Sequence, residues 1–174
     1  MKAKTSLNLL LFLFLTATVF APQSLAQDDE GFGSQFAGSW LGSGSFSVDL
    51  GCDGVFEIGP IPFTDSHAFG VGGSHVVTNP ANPNSNLGTW AKSGARQIHV
   101  RDVSFAVDTT PGGNVTTIGI VSLVVDFDKR FETAITTFAA KVYLPSQDPL
   151  DPNELPVACS AGEHDSFRKV SATE

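Results

Sequence analysis

The 174-residue chain is acidic, with ten Lys and Arg against eighteen Asp and Glu, a formal charge of −8. An acidic surface repels phosphate backbones and anionic lipid, so the composition disfavours a role in binding nucleic acid or membrane surfaces. The many Phe, Val, Gly and Thr residues favour strands over helices. After the N-terminal segment, no stretch is long and apolar enough to span a membrane.

The N-terminal segment has the three parts of a secretory signal peptide. Lys2 and Lys4 form a basic head, Leu7 to Phe20 is apolar, and Ser24-Leu25-Ala26 offers small residues for cleavage. We therefore predict a signal peptide over residues 1–26 and export to a periplasm or out of the cell. Cleavage would remove two lysines and leave eight Lys and Arg against eighteen acids, a charge of −10.

Residues 27–35 are polar and predict a flexible leader, and residues 36–174 have the size of a single domain. That domain opens with a predicted strand, Phe36 to Leu50, whose aromatic residues fall on even positions. Gly42 and Gly44 share that side and leave room for bending or for a close approach.

The rest of the chain predicts further short strands separated by turns. They are predicted over Val55–Ile58, Phe63–Val71, Ser74–Thr78, Gly88–Gly94, Gln97–Val107, Val115–Phe127, Phe131–Leu144 and Asp165–Ser171. The Asn- and Pro-rich segments Asn79–Asn86 and Gln147–Gly162 are predicted loops. Eight or nine such strands favour an all-β antiparallel up-and-down barrel of about eight strands, with a β-sandwich as the alternative.

One of these strands alternates imperfectly. Ile98 and Val100 are out of phase with Val103, Phe105 and Val107. A β-bulge near 101–102 would restore the alternation, so we predict one there.

Cys52 and Cys159 are the only cysteines. In an exported chain an even number of cysteines predicts a disulfide. Two free thiols or a metal site remain the alternatives, although no C-x-x-C spacing is present.

Three short segments carry a resemblance to a known family. Gly38-Ser39-Trp40 resembles the G-x-W that opens the first strand of lipocalins, in the calycin group of small barrels. Val125-Asp126-Phe127 stands where that family has T-D-Y, and Arg168 matches the Arg that the family stacks across its first-strand Trp. The resemblance implies an eight-stranded barrel, open at one end, that binds a small apolar molecule. It also implies that Trp40 lies buried near the closed end beneath Arg168.

The histidines raise the question of a metal site. Asp65 and His67 lie on one face of a strand, and His75 and His99 lie on neighbouring strands, so a three-ligand zinc site is conceivable. Histidines on polar strand faces are more often solvated, and no dense ligand spacing is present. We therefore expect no metal ion and no cofactor. The fourth histidine, His164, receives no role.

Acid–base chemistry inside a barrel needs a carboxylate or imidazole that is held away from water. Glu57, Asp65, His99 and Asp102 are candidates because each lies in or beside apolar strand sequence. Charged side chains on outer strand faces are the alternative interpretation, so no catalytic residue is assigned.

Aromatic residues occur on nearly every predicted strand, and those beyond the filled core could line a cavity. Phe63, Phe69, Phe105 and Phe138 are the candidate walls, beneath a rim that includes Asn79–Asn86. The leading hypothesis is an exported barrel that binds a small hydrophobic molecule. The alternatives are a barrel enzyme of the cyclase, isomerase or dehydratase type, as allene oxide cyclase is, and a non-catalytic surface protein with a filled barrel. A cavity containing a buried acid or His would favour the enzyme.

Overall fold

The computed structural model describes residues 33–80, 82–108 and 113–171, and these form a closed antiparallel barrel of eight strands. The strands are β1 (Gly38–Asp49), β2 (Ile58–Phe69), β3 (Ser74–Asn79), β4 (Asn82–Lys92), β5 (Gln97–Val107), β6 (Val115–Phe127), β7 (Ala134–Tyr143) and β8 (Ala158–Lys169). Each strand pairs with the next along the chain, and β8 returns to pair with β1. The predicted up-and-down barrel is confirmed. None of the described residues forms a helix long and apolar enough to cross a membrane.

An aromatic cluster fills the end of the barrel at which β1 begins. Trp40 is fully buried and stacks on Phe167, with ring centroids 5.4 Å apart and planes 9° apart. Phe36 packs edge-on against Trp90 at 5.7 Å and tilts against Phe127 at 5.1 Å. Each large ring removed from water contributes a few kcal/mol, so this closed end anchors the fold.

The cation beside Trp40 is Lys169 rather than Arg168. Lys169 Nζ lies 5.7 Å from the centroid of the Trp40 ring, whereas Arg168 is exposed. In this part of β8 the odd positions face inward, because Phe167 is buried. An Arg at 168 therefore points away from the barrel, and the prediction that it covers Trp40 is wrong.

Several strand boundaries differ from those predicted. Residues 58–69 form one strand despite the prolines at 60 and 62, because the pairing of β2 with β3 among the described residues begins only at residue 66. The Asn- and Pro-rich stretch is mostly strand, since β3 runs to Asn79 and β4 begins at Asn82. The last strand begins at Ala158, inside the predicted loop.

Cys52 and Cys159 form the predicted disulfide, which links residues 107 apart in sequence. Cys159 lies on β8 opposite Asp49 of β1, and Cys52 lies in the turn that follows β1. The bond is compatible with an extracellular or periplasmic location.

Export stays a prediction, since residues 1–26 lie outside the described residues, as do residues 27–32 of the leader. Residues 33–35 form a turn in which Phe36 N–H donates to Gly33 O.

We expect Trp40→Ala to lower the free energy of unfolding by about 3–5 kcal/mol, as truncation of buried aromatic residues does. Leu41→Ala, the next residue on the same strand and 37 % exposed, should cost no more than about 0.5 kcal/mol. Chemical denaturation of the two variants with the disulfide intact measures both values. Equal losses would contradict the placement of Trp40 in the core.

Reduction of the disulfide should also destabilise the barrel. Opening a loop of 107 residues restores chain entropy to the unfolded state, at most about 4.7 kcal/mol at 25 °C in the loop-entropy model. Unfolding of the Cys52→Ser/Cys159→Ser double variant should shift to lower denaturant concentration. Identical midpoints with and without the bond would contradict a stabilising role.

Candidate functional site

A cavity of about 220 Å³ occupies the half of the barrel away from Trp40 and is partly open. Its apolar lining consists of Phe46, Phe63, Val77, Val121, Leu123, Phe138 and Ala140. Its polar lining consists of Asp65, His67, Asn79, Asn86, Asp102, Ser104, Ser160 and His164. The barrel is therefore not filled, and its cavity contains buried carboxyl and imidazole groups.

Six buried polar side chains form one connected network in the middle of the barrel. They are Asp65, His67, His75, Asp102, Thr136 and His164, each at most 8 % exposed. Among the described residues only one other polar side chain is buried, Asp49, which accepts backbone N–H groups in the turn after β1. Because burying polar groups is costly unless they are paired, this concentration marks a specialised region of the barrel.

One arm of the network is a relay across β2, β3 and β5. His75 Nδ1 lies 2.8 and 2.9 Å from the two carboxylate oxygens of Asp102. His75 Nε2 lies 3.0 Å from His67 Nδ1. A carboxylate only accepts, so His75 donates from Nδ1 to Asp102. In the His75 tautomer that carries its single proton on Nδ1, Nε2 of His75 accepts and Nδ1 of His67 donates. A neutral His67 in that arrangement carries no proton on Nε2.

The second arm joins β2 to β8 and β7. His164 Nε2 lies 3.0 Å from Asp65 Oδ1 and donates to it. The other nitrogen of the same ring, Nδ1, is in short contact with Thr136 Oγ1, which also accepts the backbone N–H of His164. Both ring nitrogens of His164 are thereby held, and its orientation is fixed.

The two arms meet at His67 Nε2. Asp65 Oδ2 lies 3.2 Å from this nitrogen, yet no described group is aligned to form a hydrogen bond with it. His67 is only 4 % exposed. A buried nitrogen without a hydrogen-bond partner is costly in a protein interior, and each such group needs an explanation, of which a functional role is one.

The protein environment sets the charge states of the two groups that meet there. Burial opposes ionisation of Asp65, but the hydrogen bond from His164 and the contact with His67 hold the pKa of its carboxyl well below its usual range. Burial lowers the pKa of His67 despite the neighbouring Asp65 carboxylate. At neutral pH the pair is therefore a carboxylate facing a neutral imidazole.

Two glycines make room for the network. Gly88 on β4 pairs with His75 on one side and with Asp102 on the other, so those residues meet across a strand that has no side chain between them. Gly42 on β1 pairs with Asp65, and a β-carbon there would overlap the His164 ring and the Asp65 carboxylate. Both glycines are needed for close approach rather than for backbone freedom.

An irregularity in β8 brings His164 inside the barrel. The pairing of β8 with β1 shifts between Ser43 and Gly44, where Ser166 and His164 are the successive partners. One extra residue in β8 makes His164 and Phe167, three positions apart, both face inward and both buried. Because of this bulge, β8 contributes His164 to the polar network and Phe167 to the aromatic cluster.

The structure brings together some of the residues that the sequence singles out. Of the acid–base candidates, Asp65 and Asp102 belong to the network, whereas Glu57 and His99 are exposed. Glu57 instead accepts the backbone N–H of Leu50 in the turn after β1.

The candidate aromatic walls divide in the same way. Phe63 and Phe138 line the cavity, and Phe69 is buried in the aromatic cluster below it. Phe105 is 41 % exposed on the outer face and is no part of the cavity wall.

The bulge predicted at 101–102 is absent, since β5 pairs regularly with β6 from Gln97 to Ala106. Without it, Asp102 faces inward and Phe105 faces outward.

Four members of the network, His67, His75, Thr136 and His164, are not identified as site residues by the sequence. The sequence suggests His67 and His75 only as conceivable zinc ligands, and His164 precedes the start of the predicted last strand. The available signal is the inward glycines, since alternation places Gly42 on the same side of β1 as Trp40.

Comparison with known proteins yields no relative: no protein-family model, no curated protein and no solved structure matches the chain.

We expect Gly42→Ala and Gly88→Ala to displace the network and to cost about 1–3 kcal/mol each, as overpacking of an interior does. Gly72→Ala is the matched control, because a β-carbon at position 72 meets no atom within 4 Å. Denaturation gives the energies, and the ¹⁵N chemical shifts of the imidazoles report the network. Unchanged imidazole shifts in both interior variants would contradict the packing described here.

Proposed function

We propose that the barrel is an enzyme that binds a small, partly apolar molecule in its cavity and catalyses an acid–base reaction on it, of the isomerase, cyclase or dehydratase type. The observation that supports this proposal is the unpartnered Nε2 of His67, which lies at the cavity and ends a relay from a buried carboxylate. A relay of this kind fixes an imidazole tautomer and directs its lone pair toward a bound molecule.

The cavity volume limits the size of the substrate. About 220 Å³ exceeds the roughly 150 Å³ that holds benzene in an engineered protein cavity. It is below the roughly 300–1,000 Å³ of sites for drug-sized ligands. The substrate is therefore a molecule of modest size, such as a single substituted ring or a short branched chain.

The lining predicts the orientation of that molecule. Phe63 packs edge-on against Phe46 at 6.0 Å and against Phe138 at 5.5 Å, which creates a continuous apolar wall. The ring of His164 lies 5.0 Å from Phe63, so the wall ends at the polar network. An apolar body would lie against the phenylalanines, with its polar reactive end against Asp65, His67 and His164.

The residues of the network have different roles in this proposal. Asp65, His67 and His164 form the reactive centre, because they line the cavity and their functional atoms converge. His75 is a positioning residue that holds His67, and Asp102 fixes the tautomer of His75. In the low-dielectric interior, these fixed dipoles and charges act strongly on charge that develops in a bound molecule.

A barrel that only binds a hydrophobic molecule is the second candidate, and the apolar wall and the resemblance to lipocalins favour it. Such a barrel has no use for two buried carboxylates and three buried imidazoles, which cost stability relative to apolar residues of similar volume. That cost is better accounted for by chemistry at the site, so the enzyme is preferred.

The substrate can be sought by its chemical class. Small molecules with one apolar part and one carbonyl, enol or hydroxyl group are screened for binding by ligand-observed NMR. Those that bind are incubated with the protein in D₂O and analysed by mass spectrometry for deuterium at carbon and for new products. We expect exchange or conversion with the wild-type protein.

The variants assign that activity to the site. Asp102→Asn should retain ligand binding but slow exchange about 100-fold or more, the usual scale of a lost acid–base contribution. Asp126→Asn, an exposed Asp on β6, should leave the rate unchanged. Ala140→Trp should fill the cavity and abolish both binding and exchange. Binding without exchange or conversion would overturn the enzyme in favour of the binding barrel, and absence of binding would overturn both.

A further inference from the structure

We propose that Asp65, His67 and His164 bind a divalent first-row transition-metal ion, with the remaining coordination position facing the cavity. The metal site deepens the proposed function, and the catalytic role of the ion rests on that function. Binding of the ion can be measured without any substrate. It also replaces the expectation from sequence that the protein holds no metal.

The ligand atoms have suitable types and spacing. One carboxylate oxygen and two imidazole nitrogens, all buried, lie within 4.8 Å of one another. Asp65 oxygens lie 3.2 Å from His67 Nε2 and 3.0 Å from His164 Nε2. Metal–ligand bonds of about 2.0–2.2 Å in a tetrahedral site place neighbouring ligand atoms roughly 3.3–3.6 Å apart. Small side-chain movements are enough to form the site.

The unpartnered nitrogen is an independent indication of a ligand. Where His67 Nδ1 donates to His75, Nε2 presents a lone pair, and an oxygen of Asp65 lies 3.2 Å from it. Two electron-rich atoms that face each other in a buried site repel unless a proton or a metal ion lies between them. A metal ion provides a positive charge there and uses the lone pair that no described residue engages.

The surrounding residues have the arrangement found around metal-binding histidines. Such histidines usually donate their second ring N–H to a carboxylate, carbonyl or similar acceptor, which fixes the tautomer. The His75–Asp102 relay contacts His67 at Nδ1, the ring nitrogen that would not bind the ion. Thr136 Oγ1 lies against Nδ1 of His164, so it can accept the Nδ1 proton when an ion replaces the proton on Nε2.

The ligand set identifies the class of ion. Two imidazoles and one carboxylate suit zinc, cobalt or iron(II), whereas calcium and magnesium prefer oxygen ligands. Three protein ligands and an open position are typical of catalytic rather than structural sites. An ion in that position acidifies bound water or polarises a carbonyl oxygen, so the metal-bound group takes the place of the His67 lone pair as the reactive group of the proposed acid–base centre.

The experiment uses the disulfide-bonded chain of residues 27–174, purified without a polyhistidine tag and stripped with a chelator. Calorimetry with Zn²⁺ and absorption titration with Co²⁺ should each show one ion per chain, with a Kd in the micromolar range or below. The imidazole ¹⁵N signals of His67 and His164 should shift on addition of Zn²⁺, and that of His99 should not.

Variants locate the ion. His164→Gln and Asp65→Asn should weaken binding at least 100-fold, and His99→Gln, an exposed histidine on the outer face of β5, should bind as the wild type does. Asp102→Asn should retain one ion per chain with affinity lowered about 10–100-fold, as the loss of an outer-shell partner does. Circular dichroism tests whether each variant is folded. If a variant is unfolded, the imidazole ¹⁵N shifts of the wild-type protein still locate the ion.

The proposal is overturned if the wild type fails to bind Zn²⁺, Co²⁺ and, without oxygen, Fe²⁺ in a one-to-one complex, or if His99→Gln loses affinity as His164→Gln does. Its failure is distinguishable from that of the proposed function. Deuterium exchange at carbon by protein that binds no ion would support the proposed enzyme and reject the metal site. Binding of one ion per chain without exchange would support the metal site and reject the proposed enzyme.

Discussion

The interior of this barrel must accommodate two carboxyl and three imidazole groups with little access to water, and the local structure around the site follows from that constraint. A buried polar group costs free energy unless it is paired. Gly88 permits the contact of His75 with Asp102, Gly42 permits that of His164 with Asp65, and Thr136 holds the remaining nitrogen of His164. His67 Nε2 is the atom that this arrangement leaves without a partner.

The aromatic cluster and the polar network share their boundary residues. Phe69 stacks on His75 with centroids 4.5 Å apart, and Phe167 packs edge-on against His67 at 4.9 Å. The imidazoles are thus positioned by rigid rings below and by hydrogen bonds at their edges. Because burial of the rings supplies stability that the polar groups do not, the closed end supports a site whose own residues are costly to bury.

The sequence predicts the architecture better than the site. Alternation places Trp40 and Gly42 inside, and the pairing predicted for the cysteines is correct. The same reasoning fails on β5 because it assumes that apolar residues face inward. In the polar half of the barrel the inward positions carry Asp102 and Ser104, and the apolar Phe105 is partly exposed. The predicted bulge would bury Phe105, and it would turn Asp102 away from the site.

Glycines at inward strand positions are the feature from which such a site can be recognised, but they are informative only once the pairing of strands is known. Gly88 is unremarkable in the sequence of β4, and its role follows from lying between His75 and Asp102 in the sheet. The same is true of His164, which faces inward because β8 contains one extra residue opposite β1. Register depends on contacts between distant segments, whereas hydrophobic periodicity is local. The polar network therefore cannot be predicted from local sequence patterns, because the pairing of distant strands is what brings its residues together.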